Sequence, residues 1–125
     1  MKKLNRSTLQ RRALIKSLVS AFTTHGKIET TTAKAKMIRP IIEKLARLAK
    51  NRAMVSHKQL LGFFQDKHIV NKLFDHVAGS SRSSGFTRLI HTGIRRGDRA
   101  RLSRLEWVDE LHSTHATHAT HKPSP

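Results

Sequence analysis

Eight carboxylates are all this chain offers for acid–base chemistry: Glu29, Glu43, Asp66, Asp75, Asp98, Glu106, Asp109 and Glu110. General acid–base catalysis needs two titrating groups held close together, and only Glu106, Asp109 and Glu110 fall near one another. Arginines stand beside them, so a local counter-charge is the plainer reading. Serine and histidine are frequent, yet no Gly-x-Ser-x-Gly nucleophile elbow is present; Gly79-Ser80-Ser81 and Ser84-Gly85 do not fit it. Gly93-x-x-x-Gly97 lacks the lysine of a phosphate loop and reads as a turn. The absence of cysteine excludes disulfides, thiolate metal sites and cysteine nucleophiles. His112, His115, His118 and His121, at steps of three, could hold zinc, nickel or copper weakly. Nothing around them fixes a geometry, and a low-complexity tail is the plainer account. These residues predict no enzyme, no catalytic group, no metal centre, no cofactor and no small-molecule substrate.

The cations are a different case. Lys and Arg number 25 against 8 Asp and Glu, for a formal net charge of +17 and a pI near 11.7. A compact fold works against that self-repulsion. A polyanion relieves it, and so basic a chain carries the usual electrostatic footprint of nucleic-acid binding. Lys2, Lys3, Arg6, Arg11 and Arg12 all precede the first acid. Lys34, Lys36 and Arg39 open a predicted long helix, whose N-terminus itself attracts phosphate. Arg82, Arg88, Arg95, Arg96, Arg99, Arg101 and Arg104 crowd the last third, and the planar guanidinium fork suits phosphate oxygens. Aromatic residues are five Phe, one Trp and no Tyr. Single-strand binders stack bases on aromatic platforms, so backbone and shape recognition of folded RNA fits better.

The elements that must position these groups follow from periodicity. Leu14, Leu18, Ala21 and Phe22, with Ile15 and Val19 beside them, predict a helix from Ser7 to Thr24, stopped by Gly26. Lys27 to Thr31 leans to a strand. The stripe Ala35, Ile38, Ile42, Leu45 and Ala49 predicts a long helix to about Lys50, kinked but not stopped at Pro40. Shorter helices follow over Ala53–Phe64 and Lys67–Val77, the second capped by Asp66 and turning Ile69, Val70, Leu73, Phe74 and Val77 inward. Gly79 to Gly85 is a loop. Alternation over Phe86–His91 and Ala100–Val108, around a turn at Gly93–Asp98, predicts a hairpin. An isolated hairpin is marginal in water, so Lys27–Thr31 is expected to add a third strand. The fold class is therefore α+β: about four helices on a small mixed three-stranded sheet. One domain spans 1–110, and a His-rich disordered tail spans 111–125. Charges interrupt every apolar run before the roughly 20 residues a membrane span needs. Met1–Phe22 also has the character of a mitochondrial transit peptide, being basic and amphipathic without acids.

Leu4-Asn5-Arg6, the basic helix, Lys27-Ile28-Glu29-Thr30-Thr31 and Lys34-Ala35-Lys36 together resemble the start of the bacterial-type large-subunit ribosomal protein seventeen family. Gly85-Phe86-Thr87-Arg88-Leu89 and the turn Gly97-Asp98, followed by Glu106 and Val108, resemble its C-terminal hairpin. The likeness covers about Leu4 to Asp109, which lowers the weight of a transit peptide. It implies a small α+β domain without enzymatic activity or cofactor. It also implies binding to large-subunit ribosomal RNA near the outer side of the peptide exit tunnel, beside other ribosomal proteins, in a cytoplasmic or organellar ribosome. By position, Asn5, Arg6, Lys34, Lys36, Arg39, Arg88, Arg95 and Arg96 become candidate RNA contacts. To these the charge pattern adds Lys2, Lys3, Arg11, Arg12, Arg82, Arg99 and Arg101. Two features depart from the family pattern: a longer basic arm usually precedes the Leu-Asn-Arg, and the His-rich tail is foreign to it. A free DNA- or RNA-binding regulatory or nucleoid protein is the alternative, with a membrane-active cationic protein third.

Overall fold

The computed structural model describes residues 2–51 and 53–109. The tail expected to be disordered lies outside the described residues, as do its four histidines.

Helix α1 (Thr8–His25) opens on a capping box. The Ser7 hydroxyl accepts from the Gln10 amide at 3.3 Å, and the Gln10 side chain accepts from the Ser7 amide at 3.2 Å, so two free helix-end donors are satisfied reciprocally. Gly26 ends the helix with φ +83°, its amide donating to the Phe22 carbonyl at 2.7 Å. An added Cβ there would lie 3.8 Å from His76 Cε1 and 4.0 Å from Trp107 Cδ1. Space is therefore sufficient, and left-handed backbone strain alone sets the penalty. Gly26→Ala is expected to lower the unfolding free energy by about 1 kcal/mol, read as a lower urea midpoint at unchanged slope. The buried line of α1 is Ile15, Val19, Phe22 and Thr23, while Leu14, Leu18 and Ala21 are half-buried. The core stripe thus sits one residue round from the Leu14–Leu18–Ala21 line, because α1 packs against β1, α2, α3 and α4 together.

Strand β1 (Lys27–Thr31) runs straight into α2 (Thr32–Asn51). Ala35, Ile38, Ile42, Leu45, Ala46 and Ala49 are buried along it. Pro40 does not stop this helix. Proline removes the donor to the Lys36 carbonyl, but both residues are exposed, so water can take its place. Helix α3 (Met54–Phe64) ends on Gln65 at φ +58°, whose Oε1 accepts from Lys16 Nζ at 2.7 Å. Helix α4 (Lys67–Ala78) opens on Asp66, whose Oδ1 accepts from the His68 amide at 2.8 Å.

Strands β2 (Thr87–Ile94) and β3 (Arg101–Trp107) form the hairpin, and the sheet order is β1-β3-β2. The α+β class and the three strands stand as read; one detail differs. Both pairings are antiparallel, so the sheet expected to be mixed is antiparallel throughout. Strand β3 returns between its neighbours, with Lys27 opposite Glu106 and Thr31 opposite Leu102. The pairing of β2 and β3 skips a residue between His91 and Gly93. Thr92 is the extra residue of a bulge, and the strand continues to Ile94 through a glycine at φ +145°. The turn expected from Gly93 therefore begins two residues later.

Ser103, Leu105 and Trp107 face the helices with Thr87. Trp107 lies between Phe22, at a ring-centroid distance of 4.8 Å, and His76, at 5.3 Å, so it joins β3 to both α1 and α4. The α2–β2 contact is polar. The Glu43 carboxylate accepts from the Phe86 amide at 3.0 Å, the Thr87 amide at 2.8 Å and the Thr87 hydroxyl at 2.7 Å. Arg39 Nη2 donates to the Thr87 carbonyl at 3.2 Å. Four hydrogen bonds from one turn of α2 thus fix where β2 starts, and with it where the hairpin points.

Candidate nucleic-acid interface

Every residue from His91 to Arg99 is exposed, so the end of the hairpin stands clear of the body. Its loop closes on itself. The Arg95 amide donates to the Ala100 carbonyl at 2.7 Å, and the Arg99 amide to the Arg95 carbonyl at 3.0 Å. Gly97 at φ +107° and Arg99 at φ +57° make the reversal. Asp98 braces it from within. Its carboxylate takes Arg95 Nε at 3.1 Å, Arg95 Nη2 at 2.5 Å and the Ala100 amide at 3.1 Å. The loop's one acid is thereby spent on one of its four arginines. Arg96, Arg99 and Arg101 are exposed and form no ion pair among the described residues. A surface with unopposed guanidinium forks on a preformed loop can take phosphate oxygens in pairs.

The Arg95 hydrogen bond, then that of the Ala100 amide, lowers the Asp98 pKa from 3.8 to about 2. A carboxyl depressed in the folded state contributes stability that is present above its ordinary value and lost as pH falls through the folded one. The Arg95 Nε–H and Ala100 amide NMR shifts are therefore expected to hold down to about pH 4 and to move with a midpoint near 2. A midpoint near 4 would mean that the brace is absent.

The other candidates divide by what they already touch. On the outer face of the sheet, Arg88 donates to Glu106 Oε2 through Nε at 2.7 Å and through Nη2, and Arg104 Nε donates to Glu106 Oε1 at 2.8 Å. Arg88 foremost and Arg104 after it hold the Glu106 carboxyl below the usual carboxylate range against the opposing effect of burial. Arg82 lies 3.4 Å from Asp109. The Ser80 hydroxyl, donating to Asp109 Oδ2 at 2.6 Å, is the main cause of that carboxyl's lowered pKa. Arg39 is engaged with Thr87, as described. Arg82, Arg88 and Arg39 thus hold the protein's own structure, although each keeps an exposed surface. The expected counter-charge role of Glu106 and Asp109 is what the geometry shows.

The N-terminal candidates form a separate group. Lys3 to Arg6 is a turn with Leu4 and Asn5 at positive φ. Arg6 Nη1 donates to the Leu4 carbonyl at 3.1 Å, and Arg11 Nη1 to the Arg6 carbonyl at 3.4 Å. Lys2, Lys3, Asn5 and Arg12 are exposed. Helix α1 meets the sheet through Phe22, so Arg12 lies ten residues, about 15 Å, along the helix from that contact. At the start of α2, Lys34 is half-buried and Lys36 exposed. The N-terminal candidates are therefore apart from the hairpin, whereas the start of α2 adjoins it, since Thr31 lies opposite Leu102, next to Arg101. Three cations of α2 escaped the sequence reading: Lys50, and the pair Lys44 and Arg47, all exposed. The signal of the pair was the reverse side of the apolar stripe, since Lys36, Pro40, Lys44 and Arg47 recur at helical spacing opposite Ile38, Ile42 and Leu45. Among the described residues no group of three His, Cys, Asp or Glu is placed to hold a metal, and no helix is long and apolar enough to cross a membrane.

The sequence profile of ribosomal protein L17 matches residues 14–108, from the middle of α1 past the end of β3. The chain belongs to the ribosomal protein L17 family. The large ribosomal subunit protein bL17 of Clostridium acetobutylicum is 46% identical over 109 residues, which cover 86% of this chain and 96% of that protein. The bL17 proteins of Clostridium perfringens and Clostridium botulinum are 42% identical over the same shares. The L17 match thus takes in two-thirds of α1 and all of the other three helices and three strands, including the braced hairpin. Membership makes this a structural ribosomal protein and not an enzyme.

Proposed function

We propose that this chain is a structural constituent of the large ribosomal subunit, held on ribosomal RNA by Arg and Lys contacts to phosphates. Its partners are then large-subunit RNA and neighbouring ribosomal proteins. The bacterial relatives favour a cytoplasmic ribosome over an organellar one. The observation that carries the RNA-binding reading is the hairpin, with Arg96, Arg99 and Arg101 unopposed on a loop whose shape Asp98 and the backbone fix. Such contacts position a protein without reading bases, so selectivity would come from the fold of the RNA. The N-terminal group of Lys2, Lys3, Asn5, Arg6, Arg11 and Arg12 and the α2 group of Lys34, Lys36 and Arg39 supply further cations. A free nucleoid or regulatory protein needs the same charge but does not account for an L17 match over residues 14–108.

Binding of the purified chain to a folded large-subunit RNA transcript, measured over a salt series, tests this reading. Log affinity should fall linearly with log salt, with a slope of about −3 or steeper for three or more neutralised phosphates. The transcript should also be preferred over a DNA duplex of equal length. Equal affinity for both would favour the free-binder reading instead.

A further inference from the structure

Ser103 carries a fully buried hydroxyl on β3, and its two partners come from different elements. Its Oγ lies 2.7 Å from Thr32 Oγ1, on the first residue of α2, and 3.1 Å from His91 Nδ1, on β2. A serine hydroxyl has one proton to give and lone pairs to receive. With the His91 proton on Nε2, donation runs from Thr32 to Ser103 to His91. With a proton on Nδ1, it runs the other way. Both contacts are hydrogen bonds in either arrangement, so the link persists whichever ring nitrogen carries the proton.

The place of this link gives it a consequence. Glu43 and Arg39 hold β2 at Thr87. The hydroxyl chain holds it again at His91, four residues or about 13 Å further on. Along α2, Thr32 stands seven residues from Arg39 and eleven from Glu43, about 10 and 16 Å. The helix therefore lies along the strand, antiparallel to it, and grips it at both ends. One attachment leaves a strand free to swing; two set its direction. Directly after His91 come the bulge residue Thr92 and then Gly93, where an added Cβ would meet nothing within 4 Å. Among the described residues, the side-chain hydrogen bonds of the loop beyond Gly93 stay within the hairpin. The Thr32–Ser103–His91 chain is thus the last hydrogen-bonded side-chain link from the body to the protruding end.

We propose that His91, acting through Ser103 and Thr32, is the positioning residue of the hairpin end. It sets the direction in which the loop with Arg96, Arg99 and Arg101 leaves the body, and needs to touch no ligand itself. This rests on the reading of that loop as the binding element and adds to it the device that aims the loop. A loop already held in its bound direction loses less freedom on binding, and that saving appears as affinity.

The chain has no cysteine, so spin labels at Ile94→Cys on the hairpin and Lys58→Cys on α3, both exposed, report one distance by pulsed electron resonance. In the free full chain its distribution should be narrow with His91 in place and broad in His91→Ala. It should be narrow again in His91→Asn, whose side-chain amide reaches the place of Nδ1. Thr32→Val should broaden it as well, and Thr32→Ser should not. His91 is exposed, so its variants should fold. In the unlabelled chain, His91→Ala should weaken binding to the large-subunit transcript about threefold to tenfold, the scale of one lost hydrogen bond and the ordering it supplied. The salt slope should stay unchanged, because no phosphate contact is removed. Equal widths in wild type and His91→Ala would overturn the positioning role. So would a smaller salt slope in His91→Ala, which would make His91 a phosphate contact. Broadening in His91→Ala, with no preference of wild type for the transcript, would uphold the positioning and overturn the RNA reading on its own.

Discussion

Glu43→Leu lowers the unfolding free energy by about 3 kcal/mol, the expected result of leaving donors without an acceptor where α2 meets β2. Phe86 is 2% exposed and Thr87 2% exposed, so water does not readily replace the carboxylate. Hydrogen bonds to a charged group are worth about 1.5–3 kcal/mol net each, and an unsatisfied buried donor costs about 1–3 kcal/mol. The three bonds are not additive, which places the sum near the upper single-bond figure. For a domain of this size that is roughly a 15 °C drop in Tm. Glu43→Gln keeps one acceptor oxygen but sets its amide nitrogen against another donor, and should cost about half as much. Urea unfolding followed by circular dichroism checks both. A leucine variant within about 0.5 kcal/mol of wild type, the range of ordinary surface changes, would mean that the α2–β2 contact does not hold the hairpin.

The second large effect is on binding. Arg96→Ala with Arg99→Ala should weaken binding to large-subunit RNA roughly tenfold to a hundredfold near 0.1 M salt, and should reduce the salt slope by about two. Lys58→Ala with Lys67→Ala removes the same charge from exposed positions on α3 and α4 and should cost less than about twofold. Equal losses would show that net charge, and not the braced loop, carries the interaction. By the family resemblance Arg95 and Arg96 are both candidate contacts. The structure moves the weight to Arg96 and Arg99, because Arg95 is engaged with Asp98. Removing Arg95 would also leave the Asp98 charge bare beside the RNA.

Periodicity, turn residues and the β-leaning run Lys27–Thr31 locate all seven elements, and the caps at Ser7, Gly26 and Asp66 fall where side-chain chemistry puts them. Those are local signals, readable from neighbours in the chain. What was not legible depends on distant pairs. No local pattern tells that Glu43 reaches forward to Thr87, 44 residues on. It looked like one of several scattered acids. The bulge at Thr92 was hidden because Gly93 is as good a turn residue as a bulge residue. The sheet was read as mixed because strand direction across three intervening helices has no signature in β1 itself. The candidate cations were found by type, and the structure sorts them by engagement. Arg82 and Arg88 face acids at 109 and 106, whereas Lys44 and Arg47 make no ion pair among the described residues, on a helix side that the apolar stripe defines only by default.

The most direct test of the central claim is sedimentation of a cell lysate through a high-salt sucrose gradient, with each fraction probed for this chain. The ribosomal account expects the protein to remain with the large subunit in about one copy per particle, because many phosphate contacts and a fixed RNA shape hold it. Its release to the top of the gradient, with large subunits intact below, would contradict that account.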